Sequence, residues 1–247
     1  MRLIGLIGIP EIRTGDDLAA LIVEAAANLQ LTFQPHDILV VTQKVVSKME
    51  GRVVALGDIV PSPASLTWGA HLDKDPRLVE LILGEAKRIV RMDRGLLLTE
   101  TRHGFICANA GVDRSNLPDD KSASMLPLDP DGSADAIRNR IRVLCGTDVA
   151  ILISDTFGRP WREGLTNVAI GVSGLIPLQD YRETADDFDR LLKATRTAIA
   201  DELAGAAELV MGKTERIPVV LIRGYSCSRG VGRASMLVRP SERDLFR

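Results

Sequence analysis

The chain of 247 residues is 45% hydrophobic and 26% charged, a globular composition long enough to bury a core without disulfides or structural metal. Its 31 Lys+Arg against 33 Asp+Glu leave a formal charge of −2, which excludes the global basic field that holds nucleic acid; at 4% aromatic residues, it also lacks the stacking platforms of single-strand binders. No apolar run reaches the roughly 18–20 residues of a membrane span.

The N-terminal apolar stretch is too short for a secretory signal and reads as a first strand, residues 3–9. Thr14 and Asp17 resemble a capping box, with Asp in place of the usual Glu, ahead of Leu18, Leu21, Ile22, Ala25 and Leu29 at helical spacing. Residues 37–41 form a β-branched strand, 42–48 a polar stretch, and 53–56 another apolar run. Asp75-Pro76 opens a helix that buries Leu78, Val79 and Ile82. Residues 95–99 and 105–108 flank Arg102-His103-Gly104 as a hairpin, and 116–132, rich in Pro, Asp and Ser, read as a long loop. Ser133 caps a helix carrying Ile137, Ile141 and Leu144, and residues 149–153 form a fully apolar strand. Thr184 and Asp187 begin a long helix with Phe188, Leu191, Leu192, Ile199 and Leu203, and 218–222 closes as a strand. Helices and strands do not alternate strictly, so the fold class is α+β with a mixed sheet. One unit is expected, with room for two closely packed subdomains.

Two glycine motifs fail on context. Gly212-Lys213-Thr214 copies the end of a phosphate-binding P-loop, but Ala207 stands where its first glycine belongs, and the tripeptide follows a helix and precedes a strand. Gly230-Val231-Gly232 ends in Ser235 where a third glycine or alanine should stand. Cys107, Cys145 and Cys227 form no C-x-x-C pair and read as inert buried thiols of a reducing, cytoplasmic setting. His36, His71 and His103 never fall at metal-binding spacing.

Chemistry concentrates in residues 103–116 and 153–164, polar and backbone-permissive segments that follow apolar strands. Asp155 stands just past a buried strand with Thr156 beside it, a carboxylate and a hydroxyl suited to a hard cation. Asp113 follows Gly111, where the backbone can turn sharply. If Asp113 and Asp155 converge, they repel unless a divalent cation lies between them. Both equally suit turns or caps, with Asn116 satisfying its own backbone. Arg159 and Arg162 could clamp an anion or sit in surface ion pairs, and Lys44 and Lys48 could face an anionic ligand or solvent.

Taken in order, Gly8-Ile-Pro-Glu-Ile12, Thr42-Gln-Lys-Val-Val-Ser-Lys-Met-Glu-Gly51, His103-Gly through Ala108-Asn-Ala-Gly-Val-Asp-Arg-Ser-Asn116, Ile153-Ser-Asp-Thr-Phe-Gly-Arg-Pro-Trp-Arg-Glu-Gly164, Val210-Met-Gly-Lys and Ile217-Pro-Val-Val-Leu-Ile-Arg-Gly224 resemble the coenzyme F420-0:L-glutamate ligase family, the γ-glutamyl ligases of deazaflavin biosynthesis. The resemblance implies a mixed α+β fold of two subdomains, usually dimeric. It implies GTP-dependent attachment of L-glutamate to the free carboxyl of the deazaflavin precursor F420-0, with extension through γ-linkages. Mg2+ or Mn2+, with K+ assisting, are the implied cations. By motif, Asp113 and Asp155 are the implied catalytic positions, and with Thr156 they are the implied metal ligands. Asn116, Ile9, Pro10, Glu11, Ile12, Gln43, Lys44 and Lys48 match the nucleotide-contacting segments. The chain departs from the family at Gln43, where Ser is frequent, and at Lys213, where an acidic or amide side chain is common. The nitroreductase-like domain that follows in some relatives is not expected. A metal-dependent nucleotide phosphohydrolase and a non-catalytic GTP-binding regulator are the alternatives.

Overall fold

The computed structural model describes residues 1–117 and 119–244. Its elements run β1 (Arg2–Gly5), α1 (Leu18–Asn28), β2 (Ile38–Thr42), α2 (Gln43–Met49), β3 (Val53–Ala55), α3 (Pro63–Leu72), α4 (Pro76–Glu85), β4 (Ala86–Asp93), β5 (Leu96–Thr101), β6 (Ile106–Ala108) and β7 (Ser122–Ser124). There follow α5 (Pro130–Cys145), β8 (Ala150–Arg159), β9 (Arg162–Ser173), the short pair β10 (Gln179–Asp180) and β11 (Arg196–Thr197), α6 (Ile199–Met211) and β12 (Val219–Arg223). The mixed α+β class holds. Among the described residues no helix is long and apolar enough to cross a membrane.

A five-stranded sheet, β1-β12-β2-β8-β9, forms the centre; only β2 and β8 pair in parallel within it. Its middle strands are apolar on both faces, so each face needs a cover. Leu39, Val41, Ile151, Ile153 and Leu221 point into one core with α1 and α5, while Ile38, Val40, Leu152, Val220 and Ile222 point into the other with α6. A third core, around Leu56, Leu72, Ile82, Leu97 and Ala123, belongs to a second lobe built from α3, α4, the β4-β5-β6 sheet and the β3-β7 pair.

The free side of β9 is closed by carboxylates rather than by another strand. Asp131 of α5 accepts from the Val172 N–H at 2.8 Å and Asp201 of α6 from the Ala169 N–H at 2.9 Å. Burial raises the pKa of both acids, against those same N–H bonds. α5 comes this close because Gly171 lies beneath it, where an added Cβ would stand 2.4 Å from the Pro130 carbonyl oxygen.

Several expectations are corrected. β1 ends at Gly5, and the chain then leaves the sheet through Gly8 at φ +85°. Asp17 alone caps α1, accepting from the Ala20 N–H at 3.0 Å, while the Thr14 hydroxyl turns to the Lys48 carbonyl. The expected long loop, 116–132, contains β7 and the start of α5; Pro118 within it lies outside the described residues. α5 is capped by Asp129 with Pro130 at its first position, one turn before Ser133. The expected helix from Thr184 does not form. There the Thr184 hydroxyl and the Asp186 carboxylate bond nearby backbone, Glu183 and Asp189 take positive φ, and Phe188 and Leu191 are exposed. Only Ile199 and Leu203 of that apolar series belong to a helix. Nor are all three thiols buried: Cys107 is, Cys227 is half-buried and Cys145 is exposed.

Gly171→Ala tests the close approach of α5 to β9. Because the obstacle is backbone rather than a movable side chain, we expect a loss of about 1–3 kcal/mol, read as a lowered thermal midpoint.

Candidate functional site

β2 and β8 pair so that Thr42 lies beside Ser154 where both strands reach their carboxyl ends. Beyond Thr42 the chain turns directly into α2, which carries Gln43, Lys44 and Lys48; β8 instead continues through Asp155 and Thr156 and returns as β9. Asp155 is therefore inside a strand, not past its end. Its polar neighbours hide the alternation that would have marked β8 as far as Arg159. Arg159 and Arg162 stand exposed at the tip of that hairpin, outside the cavities described next.

Two adjoining cavities open here, sharing Thr42, Lys44, Asn116, Gly212 and Lys213. One, of about 490 Å³, holds Asp113, Asp155, Thr156, Gln43, Asn167 and Glu208. The other, of about 670 Å³, is lined by Ile9, Pro10, Glu11, Ile12, Lys48 and Arg216. The residues singled out from sequence thus gather in one two-part cleft. Gln43 falls in the carboxylate part rather than beside residues 9–12, and its side chain donates to Asp155 while accepting from Ser47 at 2.8 Å.

Asp113 comes from the second lobe, held by a two-way backbone bridge to Ser124. Lys44 donates to its carboxylate at 2.6 Å and to the Ser124 hydroxyl at 2.8 Å, and both the N–H and the hydroxyl of Ser115 donate to it as well. Burial would raise this carboxyl, but the Lys44 and Ser115 bonds outweigh it and hold Asp113 below the usual carboxylate range. Asp155 goes the other way. Burial pushes it up to about 6, with the Asp113 charge adding to the shift and the Thr156 N–H, Lys44 and Gln43 opposing it. Burial also pushes the neighbouring Cys107 thiol up to about 12, so it is no nucleophile near neutral pH.

Sequence reasoning missed two residues here. The Thr156 hydroxyl donates to Asn167 at 2.7 Å, and Asn167 donates to Glu208 at 2.9 Å. Lys213 closes the ring, 2.5 Å from Glu208 and 3.0 Å from the Thr156 oxygen. Glu208 did carry a signal. An acid in the last turn of a helix opposes the macrodipole, and nothing in α6 itself compensates it. In the other part of the cleft Lys48 pairs with Glu11.

Two facing carboxylates and a hydroxyl are hard oxygen donors of the kind that Mg2+ and Mn2+ take. The ionisation cost imposed on Asp155 by burial and by Asp113 is one that a dication between them would relieve, so the donor set fits. Among the described residues no group of three His, Cys, Asp or Glu side chains converges as a ready-made cage. A cation here would therefore take its remaining ligands from substrate or water.

The sign of the Asp155 shift gives a stability test. Its folded pKa of about 6 exceeds the ordinary 3.8, so the folded state binds the proton more tightly, and stability falls as pH rises between those values. In chelator, we expect Asp155→Asn to be about 1–3 kcal/mol more stable than wild type above pH 6. The difference should vanish below pH 4, as read by thermal melts across pH.

The sequence model of the F420-0:Gamma-glutamyl ligase family matches residues 6–224. A coenzyme F420:L-glutamate ligase of Methanothermobacter thermautotrophicus is 47% identical over 100% of this chain and 99% of its own length. Proteins of the same name from Methanocaldococcus jannaschii and Methanopyrus kandleri are each 46% identical. They cover 88% and 96% of this chain, and 87% and 94% of their own lengths.

Proposed function

The chain belongs to the F420-0:gamma-glutamyl ligase family, and from that premise we propose that it joins L-glutamate to the free carboxylate of coenzyme F420-0 with GTP as the energy source, releasing GDP and phosphate. The observation that carries the proposal is the division of the cleft by charge. Lys48, Arg216 and a single acid, Glu11, which pairs with Lys48, line one part; Asp113, Asp155 and Glu208 line the other, and Lys44 and Lys213 stand where the two meet.

Amide formation from a carboxylate needs an activated acyl group. In this reading the γ-phosphoryl group passes from GTP to the F420-0 carboxylate, and the glutamate amine displaces phosphate from the resulting acylphosphate. Such a transfer asks for positioning and charge neutralisation more than covalent help. The backbone of Ile9, Pro10, Glu11 and Ile12, with Lys48 and Asn116, would seat the nucleotide. Lys44 and Lys213 would face its phosphates as point charges. Gln43 and the Thr156 N–H hold the Asp155 carboxylate in place, as Lys44 and Ser115 hold Asp113. Asp113, Asp155 and Thr156 would hold Mg2+ or Mn2+, which would supply Lewis-acid neutralisation of phosphate charge, with K+ as the assisting monovalent ion. A second glutamate joined to the first through its γ-carboxyl would repeat the chemistry. A homodimer completes the proposal.

Mass spectrometry of F420-0 incubated with GTP, Mg2+ and glutamate tests the function directly. We expect a gain of one glutamyl residue per step, faster with limiting GTP than with ATP. Full phosphate release without the acceptor would instead identify a phosphohydrolase, and GTP binding without any turnover a regulator. Asp113→Asn and Asp155→Asn should each lower turnover at least about 100-fold and shift the Mg2+ or Mn2+ requirement upward; their double variant should lose less than the sum, because both act at one site. Wild-type turnover and metal dependence in both would remove these carboxylates from the mechanism. Light scattering should return twice the 26.8 kDa chain mass.

A further inference from the structure

A hydroxyl has one hydrogen to give and two lone pairs to offer, and each carboxylate oxygen has two lone pairs, so the bonds already made limit how many cations the cleft can hold. Thr156 spends its hydrogen on Asn167 at 2.7 Å and one lone pair on Lys213 Nζ at 3.0 Å, which leaves one lone pair. On Asp113, Oδ2 accepts from Lys44 and from the Ser115 hydroxyl, and Oδ1 accepts from the Ser115 N–H, which again leaves one. One dication can draw on Asp155, Asp113 and Thr156 together. A second would have only Asp155 to share.

An ammonium fills the Thr156 side. Lys213 Nζ is anchored between Thr156 Oγ1 and Glu208 Oε1, the latter 2.5 Å away. The Lys213 stem is exposed, but its anchor belongs to the fold. The other Glu208 oxygen accepts from the amide of Asn167, a buried residue, and this bond fixes the carboxylate. Glu208 lies in the last turn of α6 and Lys213 five positions on, where a continuing helix would carry it to another face. Gly212 ends the helix at φ +58° and turns the chain back, so the ammonium meets the acid of the helix it follows.

On these grounds we infer that the cleft takes a single divalent cation, and that the Lys213 ammonium serves as its second fixed positive charge, the role a second ion plays in two-metal phosphoryl-transfer sites. This rests on the reading above that Asp113, Asp155 and Thr156 hold Mg2+ or Mn2+. An ammonium has three donors and no lone pair, so Lys213 closes the Thr156 side to a second dication instead of helping to bind it. Glu208 and Asn167 are its positioning residues. They hold the charged head beside Thr156, where the two parts of the cleft meet, and that charge needs no ion from solution.

Mn2+ alone, titrated into the full chain without nucleotide and counted from the loss of the free-ion EPR signal, tests this. Binding that survives in an Asp155→Asn, Glu208→Gln double variant belongs to surface acids and is subtracted. Wild type should hold one Mn2+ per chain. Lys213→Gln removes the ammonium, returns a lone pair to Thr156 and frees Glu208, so its count should rise to two. Lys213→Arg keeps the charge and should stay at one. Because the Lys213 side chain is exposed, neither substitution threatens the fold. Two ions on wild type, one on Lys213→Gln, or two on Lys213→Arg would overturn the assignment and leave the metal site standing. No ion on wild type would overturn both, while the ligase reading is judged separately by glutamate transfer.

Discussion

The site is set by the parallel pairing of β2 with β8. Two strands buried on both faces cannot slide without moving both cores, so the register that puts Thr42 beside Ser154 is fixed by packing on either side. Because the strands run in the same direction, both deliver their carboxyl ends to one edge, the place where open α/β sheets bind ligands. Gln43 and Lys44 leave one end, Asp155 and Thr156 the other. The second lobe adds Asp113 across the gap, and Lys44 spans the two lobes with bonds to Asp113 and Ser124.

That construction explains why the two carboxylates behave differently. Asp113 lies in a loop, half-exposed and surrounded by donors, and stays ionised readily. Asp155 projects from a strand whose neighbours are chosen for burial, so its charge is disfavoured until something positive arrives. One is a standing anion and the other a conditional one. The Thr156, Asn167, Glu208 and Lys213 ring performs the corresponding task beside Asp155 in the same cavity, fixing the Thr156 hydroxyl by one donated and one accepted bond.

Much of this was legible in the chain. Apolar runs located β2, the start of β8 and β12, and Asp-Pro located α4, because burial on both faces and a fixed φ leave direct marks in sequence. Asp113 and Asp155 stood out for following a glycine and an apolar strand, and they do line one cavity. What was not legible depended on partners distant in sequence. The outer halves of β8 and β9 carry mixed residues because the hairpin leaves the core there, so no period survives to mark them. Residues 184–192 carry apolar residues at helical spacing, but Phe188 and Leu191 stay exposed rather than entering a core. Local Thr and Asp hydrogen bonds then win over the helix. Glu208 and Asn167 acquire meaning only when α6 and β9 come together.

The two carboxylates along β9 have a consequence for assembly. An outermost strand with free N–H groups invites continuation of the sheet by a second molecule. Here Val172 and Ala169 already donate to Asp131 and Asp201, so a visiting strand would have to displace both helices' side chains before forming its first bond. The closure does not depend on ionisation either. A protonated carboxyl retains its carbonyl oxygen as an acceptor, and these two acids, their pKa raised by burial, can gain a proton without releasing the backbone they hold. Association between copies is thereby directed away from this margin of the sheet in acid as at neutrality.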